Sequence, residues 1–359
     1  MSSIIGNLIK VSLFGESHGE LIGATINGLE AGLLIDEAFI EKQMSLRRAK
    51  DFLSTPRREK DKVEIVSGVF NNRTTGAPLT VIIRNENVNS EDYLKVFRPG
   101  NSEYPLFSKT NNNFDYRGGG HSSARLTAPL VALGAIALNI LKSKGIFIYS
   151  HLNSVYNIED KTAFSFDNLK RLEDDFIPVL DPSLKEKIVN LIQETKEEKD
   201  SLGGELQTVV FNAPIGLGSM YFASLESVIS AYLFSIPSIK GVSFGQGFGF
   251  AHLKGSQAND QMVIKDGVPT FLSNNNGGIL GGVSNGEPLI INTVFKPTSS
   301  IGKLQQTLDF DYQEIALELK GRHDPLTILR GRVVVESLTA LALLDIIVQE
   351  KGRKWMSVS

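Results

Sequence analysis

Apolar and polar positions along this chain switch period several times. Residues 8–14 read as an apolar strand. Residues 37–48 (EAFIEKQMSLRR) have helical spacing and follow Asp36, a side chain suited to cap a helix N-terminus. Residues 63–70 and 79–84 predict two strands separated by the turn-rich NNRTTGAP. Residues 85–120 are rich in Asn, Gly, Pro and Ser and predict one long irregular segment of the kind that carries function. From Ser122 onward a helix is expected, with 126–141 as its apolar body. Residues 181–200 predict a charged amphipathic helix with Asp181 as N-cap and Pro182 at the first helical position. Strands follow at 205–212, 240–249 and 288–296, helices at 224–234 and 332–351.

Strands and helices alternate without a steady βαβ beat, so the pattern predicts an α+β fold rather than a doubly wound sheet. No linker of low complexity interrupts it, and one domain over residues 1–359 is expected. The apolar runs 126–141 and 333–348 are broken by Pro129 and Asn139, and by Glu336 and Asp345. Both fall short of the roughly 20 apolar residues a membrane span needs, and they predict buried helices. The N-terminus lacks a basic region followed by an apolar core, so no signal peptide is expected and the cytoplasm is the expected location.

Composition narrows the chemistry. The chain has 359 residues, 42% of them hydrophobic and 21% charged, close to globular averages. Its 37 basic and 40 acidic residues give a net charge of -3, which argues against a bulk nucleic-acid binder. There is no cysteine, which excludes disulfides, thiolate catalysis, iron–sulfur clusters and cysteine-bound zinc. The five histidines show no pair at metal-ligand spacing. Neither GxGxxG nor a P-loop appears in the right context.

The informative segments are loops. GESHG brackets Ser17 and His18 with glycines, which presents His18 either as a general acid or base or as a structural turn histidine. Lys42, Arg47, Arg48, Lys50, Arg57, Arg58, Lys60 and Lys62 form a basic cluster with interleaved acids. It reads as a salt-bridged solvated face, or as a place where arginines capture an anion. Arg98 precedes the rigid turn Pro99–Gly100. In DYRGGGHSSAR, three glycines free the backbone to face an anion, Ser122 and Ser123 can cap the next helix, and Arg117, His121 and Arg125 flank them. Toward the C-terminus, SNNNGGILGG, KPTSS and GRHDP add glycine pairs, hydroxyls beside a lysine, and the His323–Asp324 pair. Together these segments suggest a site for small molecules with several negative charges.

These motifs in this order, FGESHG, PRRE, SGVF with TTGAP, VFRPG, DYRGGG with SSAR, SIPSIKGV, FLSNNNGGILGG, KPTSS and KGRHDP, resemble the chorismate synthase family over nearly the whole chain. The resemblance implies a helical layer sandwiched between antiparallel sheets, assembled as a homotetramer. It implies a lyase that converts 5-enolpyruvylshikimate 3-phosphate to chorismate and phosphate by anti 1,4-elimination, with reduced FMN required although no net redox change occurs. This is the last common step of the shikimate route to aromatic amino acids. No nucleic acid and no membrane is implied as partner.

The resemblance also assigns residues. His18 matches the proposed general acid, and Asp324 an aspartate near the flavin and the departing proton. Arg48 matches a substrate- or NADPH-side arginine, while Arg98 and Arg125 match substrate arginines. Ser122, Ser123, Ala124, Gly281, Lys296, Pro297, Thr298, Ser299, Ser300 and Arg322 match flavin-binding segments. Three departures stand out. Asn101 replaces the family's second histidine, and His121 or bound water is expected to compensate in part. His121 itself stands where many members have arginine. The basic segment LRRAKDFLST is shortened. An alternative therefore stays open, an impaired relative that binds flavin and substrate without turning over. With no dinucleotide fingerprint, flavin reduced from outside is expected, not by NADPH on this protein.

Overall fold

The computed structural model describes residues 3–48, 61–86, 94–319 and 324–357. Two five-stranded antiparallel sheets enclose a layer of helices. The first sheet runs Ile4–Ile5, Lys10–Gly15, Leu21–Asn27, Leu79–Arg84, Glu64–Ser67 across its width. The second runs Ile239–Phe244, Leu289–Phe295, Gly204–Phe211, Phe147–Val155, Ile158–Glu159.

Period-two patterning sets which face is buried. In the first sheet Ile22, Ala24 and Ile26 pair in register with Ile83, Val81 and Leu79, and all six are buried. In the second, Leu206 and Val210 pair with Leu152 and Ile148 on one side, and Val210 with Leu289 on the other. Between the sheets lie helix α3 (Thr127–Ser143) and the C-terminal helix Ile328–Lys351, packed on each other. Both are apolar on nearly every side, which suits a helix with neighbours all round. At their crossing a Cβ on Gly134 would lie 2.2 Å from Ser337 Cβ, so only glycine permits this approach. One continuous core runs from Ile9 to Met356.

Asp36 caps α1 (Glu37–Arg47) by accepting from Phe39 N at 2.9 Å, as its position predicted. Several expectations need correction. The stretch 85–120 is not all irregular, because Glu103–Thr110 forms a helix, α2. Pro105 lies in its first turn, where no helical hydrogen bond is lost. The helix after Ser122 starts only at Thr127. Ser123 instead caps a 3-10 turn, Ala124–Leu126, and accepts from Arg125 N. Ser122 caps nothing and bonds Ser102 and the Gly119 carbonyl. The amphipathic helix is Leu184–Glu197, and Asp181 accepts from Ser183 N at 2.9 Å to close a turn ahead of it. Residues 124–143 are long and apolar enough to cross a membrane, contrary to expectation, but most of the stretch is buried inside the protein, as expected of a core helix.

Asp345, 1% exposed on the C-terminal helix, ties down the N-terminal hairpin. Its carboxylate accepts from Asn7 N (2.8 Å), Leu8 N (2.8 Å) and Ile9 N (2.7 Å). Asp345→Asn keeps the shape but removes the charge and puts an amide donor opposite backbone donors. We expect a loss of about 2–3 kcal/mol, read as a lower urea midpoint at unchanged slope.

Candidate active site

The N-terminal ends of α3 and of the C-terminal helix open on one cavity of about 350 Å³, with Thr127, Thr327 and Arg330 in its wall. Two helix N-termini bias this space toward anions. The turn after Lys10–Gly15 adds Ser17 and His18, the end of α1 adds Arg47 and Arg48, and the loops add Asp61, Arg98, Arg125 and Asp324. An apolar strip of Ile236, Pro237, Phe295 and Val334 completes it.

His18 is 5% exposed and lies against the glycine run. Gly118 has φ +57°, and a Cβ there would come within 2.2 Å of His18 Cε1, so the run makes room for the ring. Ser17 N donates to Gly120 O at 3.1 Å and fixes the two loops together. Burial pushes the nearby Asp115 carboxyl up, but hydrogen bonds from Arg117 and the charge of His18 outweigh this and hold it low.

Each arginine has a carboxylate partner. Arg98 Nε donates to Glu103 Oε1 at 2.7 Å, and its Nη1 reaches Ser300 Oγ at 3.5 Å. Glu103, in the first turn of α2, is 2% exposed. Arg48, the C-cap of α1, forms a two-pronged pair with Glu41 at 2.5 and 3.0 Å. Arg47 and Arg125 share Asp61. Arg330 Nη1 meets Asp324 Oδ2 at 3.3 Å, while its Nε donates to Arg47 O at 2.9 Å. Among the described residues, these five guanidiniums meet four carboxylates. Burial pushes the Asp324 carboxyl above its usual range, against the pull of Arg330 and of the Leu326 N–H.

Of the residues expected at the site, His18, Arg48, Arg98, Ser123, Ala124, Arg125 and Asp324 come together in this wall. The KPTSS segment stands beside it. Thr298 Oγ1 donates to Asp324 O (3.1 Å), and Lys296 Nζ donates to Gly100 O (2.7 Å) and Ser299 Oγ (2.6 Å). Burial and the neighbouring Lys240 lower the Lys296 pKa. Pro297 packs next to Gly203.

Others lie elsewhere. Gly281 is at the tip of the hairpin Ile279–Leu280 and Val283–Ser284, where an added Cβ would meet no described atom within 4 Å. Asn101 bonds its own turn, through Arg98 O and Pro99 O. The expectation that His121 compensates for Asn101 meets a structural obstacle. Its Nδ1 is 2.8 Å from Gly15 O and its Nε2 2.8 Å from Ser3 Oγ, so both ring nitrogens are engaged there, and the ring is not part of the cavity wall. Ser122 is also off the wall. Arg322 and His323, with four of the eight residues of the basic cluster (Lys50, Arg57, Arg58 and Lys60), lie outside the described residues. Within the described part, Lys42 pairs with Glu173 and Asp174, and Arg47 and Arg48 with Asp61 and Glu41.

Sequence reasoning gave no role to Asp61, Thr127 and Arg330, and placed Arg47, which is 5% exposed, only within a cluster read either as a solvated face or as an anion-capturing one. The available signal for Arg330 was a charge, with Arg332, at the start of a largely apolar helix, six residues after Asp324.

A family model described as chorismate synthase matches residues 9–348. Chorismate synthase of Sulfolobus acidocaldarius is 45% identical over 95% of this chain and 89% of its own length. That of Sulfurovum sp. is 42% identical over 97% and 96%. A solved structure titled "Crystal Structure of Chorismate Synthase" superposes with a TM-score of 0.78 at 28% identity, covering 97% of this chain and 94% of that one. A family model over nearly the whole chain, relatives above 40% identity at near-complete coverage and the shared fold make the conclusion plain: this chain belongs to the chorismate synthase family.

Proposed function

We propose that the cavity carries out the family reaction, anti 1,4-elimination of phosphate from 5-enolpyruvylshikimate 3-phosphate to give chorismate. The observation that carries this reading is an arginine-walled cavity holding a buried histidine and a buried aspartate together. The substrate brings two carboxylates and a phosphate, and bidentate guanidiniums suit both groups. Arg48, Arg98 and Arg125 bind these anions, with Arg47 and Arg330 adding charge. The His18 imidazolium delivers a proton to the departing phosphate. Asp324, whose proton affinity burial has raised, takes up the proton lost from carbon.

The residues around the cavity fit a flavin mononucleotide. The strip of Ile236, Pro237, Phe295 and Val334 suits a flat ring, while Ser123, Thr298, Ser299 and Lys296 offer hydroxyls and a cation for a phosphate. When bound, reduced FMN supplies the electron density that breaking an allylic C–O and an unactivated C–H bond requires. The chain's own part is to orient the substrate, exclude water and hold the two protons at His18 and Asp324. Asn101, one of the two departures on which the reading of an impaired relative rests, is not among the described residues that line the cavity.

The reading extends to a homotetramer working in the cytoplasm. The apolar stretch Met220, Tyr221 and Phe222, exposed at 67%, 85% and 97%, is a surface that association would cover. Titration with chemically reduced FMN under anaerobic conditions tests the cofactor. Binding that tightens when substrate is present supports the reading, and no binding in either case contradicts it. NADPH alone should not be oxidised by the pure protein.

A further inference from the structure

Asp61 is a buried carboxylate in the cavity wall that the steps above do not use. It is 7% exposed, precedes the strand Glu64–Ser67, and holds a left-handed backbone, φ +45°. Asp is among the few residues that adopt this conformation readily. Its two oxygens go to two different arginines. Oδ2 accepts from Arg47 Nη1 at 3.1 Å, and Oδ1 accepts from Arg125 Nη1. Those arginines come from the end of α1 and from the 3-10 turn before α3. Each is braced by neutral groups as well. Arg47 donates to Thr127 Oγ1 at 3.1 Å and to Ala124 O at 2.9 Å, and Arg125 Nε donates to Asn85 Oδ1 at 3.1 Å.

One carboxylate between two guanidiniums leaves the trio cationic while holding two like charges side by side. We propose that Asp61 is a positioning residue for the reaction. It sets the separation and orientation of Arg47 and Arg125, so that the substrate's anionic groups meet donors already in place. This inference rests on the reading of the cavity given under Proposed function.

The sign of one binding change separates positioning from simple charge balance. If Asp61 only offset positive charge, removing its charge would leave the cavity more cationic and tighten the grip on a polyanion. If it sets spacing, the two arginines part and binding weakens despite the added positive charge.

The experiment uses the full chain and its variants Asp61→Asn and Asp61→Glu. Binding of 5-enolpyruvylshikimate 3-phosphate is measured by calorimetry, and phosphate release is measured with reduced FMN. Asp61→Asn is expected to raise Kd about tenfold and to raise KM with it. Asp61→Glu keeps the charge but shifts the bridge by one methylene, and should fall between the two at an unchanged melting temperature. Equal or tighter binding by Asp61→Asn overturns the proposal. Should Asp61→Asn fail to fold, Asp61→Glu decides, and parental affinity in that variant overturns it. If the parent chain binds substrate but releases no phosphate, the proposed reaction fails, while the order of the three Kd values still tests the positioning role.

Discussion

Replacing His18 by asparagine is expected to lower kcat by about 10²–10⁴-fold with little change in KM. The substitution removes the group that can protonate the departing phosphate. It leaves the arginine wall, which binds the substrate, in place. It is also a mild change for the fold, because asparagine is smaller than the imidazole and polar. Gly118→Ala should reproduce much of the loss from the opposite side. Its Cβ would lie 2.2 Å from Cε1 and 2.4 Å from Nδ1 of the ring, and φ +57° is strained for alanine. The ring must move, although no catalytic atom has been removed. Steady-state phosphate release from both variants, with circular dichroism to confirm folding, checks this. Parental kcat in His18→Asn would remove His18 from the mechanism.

Asp324→Asn is expected to cost kcat a similar factor, about 10²–10⁴-fold, because an amide cannot take up the proton from carbon. The pH dependence gives a sharper test. Burial pushes the Asp324 carboxyl up, and Arg330 pulls it back down. Removing Arg330 leaves burial less opposed, so the protonated form persists to higher pH. A base must be ionised to work, so activity is lost as pH falls through this pKa. The acid limb of kcat should therefore lie above the ordinary carboxylate range in the parent and move to still higher pH in Arg330→Gln. A limb that stays in place, or moves down, would show that Asp324 is not the titrating base. Lower activity alone would not decide the matter, since Arg330 also holds the Arg47 carbonyl at the end of α1.

Much of the frame was legible because it depends on local pattern. Asp36 before EAFIEKQM marks a helix start by its own cap, and Leu79, Val81 and Ile83 mark a buried face by alternation. Helix α2 was hidden because distant residues stabilise it. Phe97 stacks on Phe310 at a centroid distance of 4.9 Å, Phe107 packs tilted against Phe310 at 5.2 Å, and Tyr312 closes the cluster, so nothing near EYPLFSKT announces the helix. The start of Leu184–Glu197 was misread because an aspartate that closes a turn and one that caps a helix look alike in sequence.

The site divides the same way. Loops rich in glycine, arginine and hydroxyls pointed to His18, Arg98 and Arg125 without any contact being known. Asp61 and Arg330 take their meaning from partners far along the chain. Asp61 meets Arg125 across 64 residues, and Arg330 meets the Arg47 carbonyl across 283. His121 shows the converse, a residue of suitable chemistry in a suitable motif that the fold spends on holding Gly15 and Ser3.

The most direct test of the whole account is anaerobic phosphate release from 5-enolpyruvylshikimate 3-phosphate by the purified chain with chemically reduced FMN. The account predicts phosphate and chorismate appearing in equal amounts, over many turnovers, only when reduced flavin is present. Substrate and flavin that bind without any phosphate being released would contradict it.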